Sequence, residues 1–160
     1  MRFLAIDLGD VRSGLAVGDD VTGLVGPAGR VEVPIAQQDG CALIEALARA
    51  IDEHLGPSDS VVMGLPINMD STEGPRAQLV RAFAARLEHR LGRPVELQDE
   101  RLTTAQADWT MGGSGLTHKQ RKRRRDALAA CAILSDYLAA RKATPSQDSP
   151  DPNGSSEKDR

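Results

Sequence analysis

Phe3-Leu4-Ala5-Ile6-Asp7-Leu8-Gly9-Asp10-Val11-Arg12-Ser13-Gly14-Leu15-Ala16-Val17-Gly18 is the stretch on which the reading of this chain turns. An apolar run from Phe3 to Ile6 ends on Asp7, Gly9 interrupts it, and a second apolar segment runs from Gly14 to Val17. Two short apolar segments around a glycine turn predict an antiparallel hairpin whose first strand is central in a sheet. A carboxylate at the end of a buried strand is costly unless it is paired or binds a cation. Asp7 therefore asks for partners, and the rest of the chain is read for them.

Working outward, Leu24 to Val33 becomes strand-like at Arg30-Val31-Glu32-Val33 and stops at Pro34. Leu43, Ile44, Leu47, Ile51 and Leu55 recur at helical spacing, which predicts a helix over 38–55 before Gly56-Pro57. Ser60 to Gly64 is apolar and bounded by breakers, as a strand buried on both faces would be. A loop follows over 65–75, then a predicted helix over 75–91 with Leu79, Phe83, Leu87 and Leu91 on its apolar face and Gly92 as its stop. Val95 to Gln98 reads as a fifth strand, ending on Asp99-Glu100. Thr103 or Thr104 can cap a helix to Met111. Gly112 to Gly115 forms a hinge, and a last helix spans 119–140. The order predicts an α/β domain with a mixed sheet. Residues 1–142 form that domain, and 143–160, rich in Pro, Ser, Asp and Glu, form a disordered polar tail.

Composition narrows the function. At 160 residues the chain can bury a substantial core. That core is aliphatic, because Phe3, Phe83, Trp109 and Tyr137 are the only aromatic residues. Few aromatics argue against nucleic-acid binding on base-stacking platforms. The formal net charge of −3 gives no global basic field. Cys41 and Cys131 stand apart among apolar neighbours without metal-ligand spacing, so both are expected as small buried hydrophobes in a reducing compartment. No signal-peptide pattern or membrane-length apolar run occurs, which points to a soluble, cytoplasmic protein.

Three acidic residues fall at element ends that could share one cleft: Asp7 after strand one, Glu100 after strand five, and Asp126 before the apolar run of the last helix. Hard carboxylate oxygens converging from different elements suit Mg²⁺ or Mn²⁺, and two such ions can drive phosphodiester hydrolysis. Each residue also has a plainer account. Asp7 could serve a turn, Glu100 could pair with Arg101 or Arg12, and Asp126 could be a solvated neighbour of the arginines before it. The metal reading gains from Lys119-Gln120-Arg121-Lys122-Arg123-Arg124-Arg125, six cations in seven residues directly before Asp126. Inside a predicted fold and beside a candidate ligand, that run points to phosphate contacts. Asn68, Ser71 and Thr72 in the 65–75 loop add hydrogen-bonding groups.

Four segments together, Asp7–Ala16, Gly64-Leu65-Pro66-Ile67-Asn68-Met69-Asp70, Asp99-Glu100-Arg101-Leu102-Thr103-Thr104 and Asp126–Leu134, resemble the YqgF family of Holliday-junction-resolvase-like proteins and pre-16S rRNA nucleases. The resemblance spans about residues 3–140 in the same order. It implies a ribonuclease H-like fold, a five-stranded mixed sheet flanked by helices. It also implies a cytoplasmic, divalent-metal-dependent endonuclease that matures the 5′ end of small-subunit rRNA. The implied acidic triad falls on Asp7, Glu100 and Asp126, with Asp7 bridging the metals. Arg12, Asn68, Arg101, Lys119, Arg121, Lys122, Arg123, Arg124 and Arg125 would hold the nucleic acid. Departures are Ser71, where the family usually carries glycine, a poor match over 26–30, and the acidic tail.

Three readings stay open from the sequence. One is a metal-dependent nuclease on pre-rRNA or on branched DNA, where cutting two strands would call for a homodimer. The second is a nucleic-acid-binding protein without catalysis, acting in transcription or ribosome assembly. The third, an actin-like phosphotransferase, needs a second lobe that this chain lacks.

Overall fold

A computed structural model describes residues 1–102 and 118–143; the side chains of 102 and 118–125 lie outside that description. The chain runs β1 (Arg2–Asp7), β2 (Ser13–Asp19), β3 (Val25–Val31), α1 (Cys41–His54), β4 (Ser60–Leu65), α2 (Pro75–Leu91), β5 (Val95–Asp99) and α3 (His118–Ala143). The strands form one sheet in the order β3-β2-β1-β4-β5. The hairpin pairs β1–β2 and β2–β3 are antiparallel, whereas β1–β4 and β4–β5 are parallel. This is the mixed five-stranded sheet that the hairpin and the later helix–strand alternation predict, with β1 at its centre.

Strand alternation decides which helix covers which face. Leu4, Ile6, Leu15, Val61 and Met63 pack with α1 and α2. Phe3, Ala5, Ala16 and Val62 pack with α3 on the other face. Both faces are covered, so the central strands read as continuous apolar runs. Each fully buried large side chain contributes about 1.5–3 kcal/mol. Among the described residues twelve large side chains are fully buried, from Phe3 of β1 to Leu134 of α3, and aliphatic residues dominate them. Phe3 also meets Tyr137 of α3 with ring centroids 5.4 Å apart. Among the described residues no helix is long and apolar enough to cross a membrane.

The structure corrects four local expectations. The third strand, read as strand-like at Arg30–Val33 up to Pro34, is β3 over Val25–Val31, because at the sheet edge its glycines and Pro27 can pair with β2. The helix expected from residue 38 begins as α1 at Cys41, because Gln38, Asp39 and Gly40 adopt positive φ (51°, 53° and 82°) and break the helical path. Leu79, expected on the apolar face of α2, is exposed; Ala77, Val80, Phe83, Ala84 and Leu87 form that face. Cys41 is exposed at the start of α1, whereas Cys131 is buried as expected. The helix expected over 103–111, the 112–115 hinge and the tail lie outside the described residues.

Candidate functional site

The same alternation that buries Phe3 and Ala5 under α3 points Asp7 to that face. Asp7 pairs with Gly14 of β2, and Gly14 pairs with Arg30 of β3. On the other side of β1, Gly64 of β4 pairs with Gln98 of β5. Two glycines thus stand near Asp7 on the α3 face, and each leaves room for a neighbour. A Cβ on Gly14 would overlap the main-chain carbonyl of Asp126, so this glycine lets α3 approach the sheet. A Cβ on Gly64 would overlap the Glu100 carboxylate and press on Ile133 Cδ1. Small residues beside Asp7 let the other two carboxylates come near it.

Glu100 is delivered by a single 3₁₀ turn, Glu100–Leu102, directly after β5. Asp126 comes from α3. All three carboxylates are half-buried. Burial, then the Asp126 charge, push the Asp7 carboxyl above its ordinary range, with Arg76 opposing. Burial, then the Asp7 charge, push Glu100 up to about 7, again with Arg76 opposing. Asp7 is electrostatically central, repelled from both sides. Such a set of hard oxygen donors fits a divalent cation, which would relieve the repulsion and favour the ionised forms. Among the described residues, no three acidic, His or Cys side chains already converge tightly enough to hold one ion. Asp126 is turned partly to arginines instead: Arg12 Nε lies 2.9 Å from its Oδ2 and Arg30 Nη1 3.3 Å from the same atom.

Two arginines at this site carry no motif that marks them in the sequence. Arg76, at the start of α2, donates to the Leu8 carbonyl and to Asp10. Arg30 lies on β3, and only the strand register places it level with Gly14 and Asp7. Its one sequence signal is that it is a cation in a glycine-rich segment beside an otherwise apolar sheet.

The other expected site residues fare differently. Arg12 pairs with Asp126, not Glu100. Arg101 grips Asp99 (2.6 Å) and reaches the Asn68 carbonyl (3.2 Å) and Ser71 Oγ (2.8 Å), pinning the 66–74 loop beside Glu100. Asn68 is exposed and donates from Nδ2 to Thr72 Oγ1 at 3.0 Å. Ser71 has φ 69°, a left-handed conformation that glycine enters without strain. The Arg101 hydrogen bond helps hold serine in that conformation. The basic residues Lys119, Arg121, Lys122, Arg123, Arg124 and Arg125 lie along the first turns of α3, and their side chains lie outside the described residues.

A family model described as RuvX, Holliday junction resolvase, matches residues 1–140. A relative from Anaeromyxobacter sp. (strain K), named "Putative pre-16S rRNA nuclease", is 40% identical over 141 residues, covering 88% of this chain and 98% of the relative. A relative of the same name from Geobacillus thermodenitrificans (strain NG80-2) is 36% identical over 142 residues, 89% of this chain and 100% of its own length. In fold the chain is similar to Thermus thermophilus RuvC in complex with a Holliday junction substrate, with a TM-score of 0.54 at 15% identity. That alignment covers 90% of this chain and 97% of RuvC. The ribonuclease H-like architecture expected from the sequence is thereby established. With the match running from the opening hairpin into α3, the chain belongs to the RuvX family, the YqgF family that its motifs resemble.

Proposed function

We propose that this protein is a divalent-metal-dependent endonuclease that hydrolyses phosphodiester bonds, with the 5′ end of precursor 16S rRNA as its substrate. The observation that carries the reading is the approach of Glu100 and Asp126 to Asp7 from either side: the Asp126 charge acts on Asp7, and burial, then the Asp7 charge, push Glu100 up to about 7. Asp7, Glu100 and Asp126 are the residues that would hold Mg²⁺ or Mn²⁺, in a two-ion arrangement. Such ions supply a nucleophilic hydroxide from water and stabilise the leaving oxygen. Arg76 keeps Asp7 and Glu100 closer to their ionised, ligating forms. Arg101 holds the 66–74 loop against the end of β5, and the exposed Asn68 of that loop would contact the nucleic acid. The cations of 119–125 steer and hold the phosphate backbone. The names of the relatives support RNA as the substrate, and a nuclease acting on an rRNA precursor would work in the cytoplasm.

A second reading, resolution of branched DNA, is supported by the family's description; cutting two strands would then call for a homodimer with one active centre per strand. The test compares wild type with Asp7→Asn on a labelled rRNA precursor fragment and a synthetic four-way DNA junction, with and without Mn²⁺. Mn²⁺-dependent cleavage that the variant loses by at least about 100-fold supports the nuclease, within the range of losses seen when transition-state stabilisation is removed. The substrate that is cut then decides between the two readings. Binding without cleavage, unchanged in the variant, sinks both.

A further inference from the structure

Asp126 Oδ2 accepts a hydrogen bond from Arg30 Nη1 at 3.3 Å and forms an ion pair with Arg12 Nε at 2.9 Å. The Arg30 side chain is only 10% exposed, and its second terminal nitrogen is held by Glu32. Its position is set by the sheet, since β3 places it opposite Gly14, which in turn lies opposite Asp7. When Asp126 is taken away, Glu32 keeps hold of Nη2, but Nη1 of this enclosed guanidinium then needs another acceptor. Sharing that carboxylate oxygen with a divalent cation would crowd three positively charged groups around a single negative charge, which sets metal and guanidiniums in competition.

We propose that Arg30, together with Arg12, is a displaceable clamp on Asp126: metal and guanidiniums compete for Asp126 Oδ2, and metal binding turns both arginines over to a phosphate of the nucleic acid. The inference rests on the metal-dependent nuclease reading and adds an order of events to it. Metal-free protein keeps Asp126 neutralised and its arginines occupied. Metal-loaded protein has two guanidiniums beside the acidic centre whose planar forks match phosphate oxygens. Metal and nucleic acid then favour each other's binding reciprocally. Arg30 positions Asp126 in the first state and binds phosphate in the second.

Two measurements on the full chain test the clamp. Mn²⁺ is titrated calorimetrically into wild type, Arg30→Met, Arg12→Met and Asp126→Asn. Fluorescence anisotropy then follows a labelled rRNA fragment and a four-way junction, in EDTA and in Ca²⁺, which slows hydrolysis. Arg30→Met should bind Mn²⁺ about fivefold tighter or more, a coupling of the size usual between linked sites. The same variant should lose most of the gain in nucleic-acid affinity that Ca²⁺ gives wild type, with little change in EDTA. Arg12→Met, at a more exposed residue, should shift both quantities in the same direction, and it carries the test if Arg30→Met melts early. Unchanged or weaker Mn²⁺ binding in both arginine variants overturns the clamp and leaves Arg30 as a brace between β3 and α3. No Mn²⁺ binding by wild type overturns the metal reading itself, a separate failure. Mn²⁺ binding kept in Asp126→Asn also overturns the clamp, since the contested oxygen would then be no ligand.

Discussion

Glu100 shows how a single residue can hold the fold and the chemistry in tension. Burial and the adjacent Asp7 charge make its ionisation harder in the fold than in the unfolded chain. A carboxyl raised in this way contributes stability that is complete below 4.5, its ordinary value, and is lost as pH rises through about 7. Metal-free wild type should therefore melt at a lower temperature at pH 8 than at pH 5.5. Glu100→Gln should recover about 1–2 kcal/mol of that difference, a figure reduced for screening at a half-buried group. Differential scanning calorimetry of both proteins in EDTA checks this; parallel pH profiles would show that Glu100 is not the group responsible. The same variant should lose Mn²⁺ affinity, since an amide oxygen is a poorer ligand than a carboxylate. Ser71 shows the reverse case, a residue tolerated in a left-handed backbone that suits glycine, through its bond to Arg101.

At the level of elements, the site depends on how closely α3 and the β5 turn approach the sheet, and two glycines set those distances. They should not respond alike to substitution. A Cβ at Gly14 meets the main chain of α3 at Asp126, which cannot turn aside, so Gly14→Ala should cost about 2–4 kcal/mol and displace Asp126. The nearest atoms a Cβ at Gly64 would meet are side-chain ends, those of Glu100 and Ile133. Gly64→Ala should keep most of the stability and lose Mn²⁺ affinity, because the Glu100 carboxylate must move. Urea unfolding followed by Mn²⁺ titration separates the two; equal stability losses would mean that α3 yields at Gly14. The start of α1 makes a related point. Apolar spacing locates the buried face of that helix correctly from Leu43 onward, yet three successive positive-φ residues, 38–40, delay its start. Periodicity reports burial and is blind to local backbone conformation.

For the molecule as a whole, a net charge of −3 conceals an uneven distribution, with six cations concentrated at 119–125. If that run holds a nucleic-acid backbone, binding should weaken with salt. Replacing Arg123, Arg124 and Arg125 by Gln should then flatten the log–log salt dependence by about one unit for each phosphate no longer neutralised. Anisotropy titrations across a KCl series measure the slope, and an unchanged slope would assign the run to a solvated helix face.

Much of this architecture is legible in the sequence because it depends on local alternation. The hairpin, the buried β4 run and the apolar faces of the helices need only a period of 2 or 3.6 to be read. Asp7, Glu100 and Asp126 stand out for a related reason, as carboxylates at the ends of apolar elements. The sequence by itself therefore determined the fold class, the family and the acidic positions. Only the tertiary structure decided their partners. Arg30 reaches Asp126 across 96 residues of chain, and Arg76 reaches Leu8 across 68. Arg12 turns to Asp126, while Arg101 turns to Asp99 and the loop. Ion pairing follows distance in space, and that distance is set by strand register and by the depth to which α3 settles over Gly14, neither of which is written in any one segment.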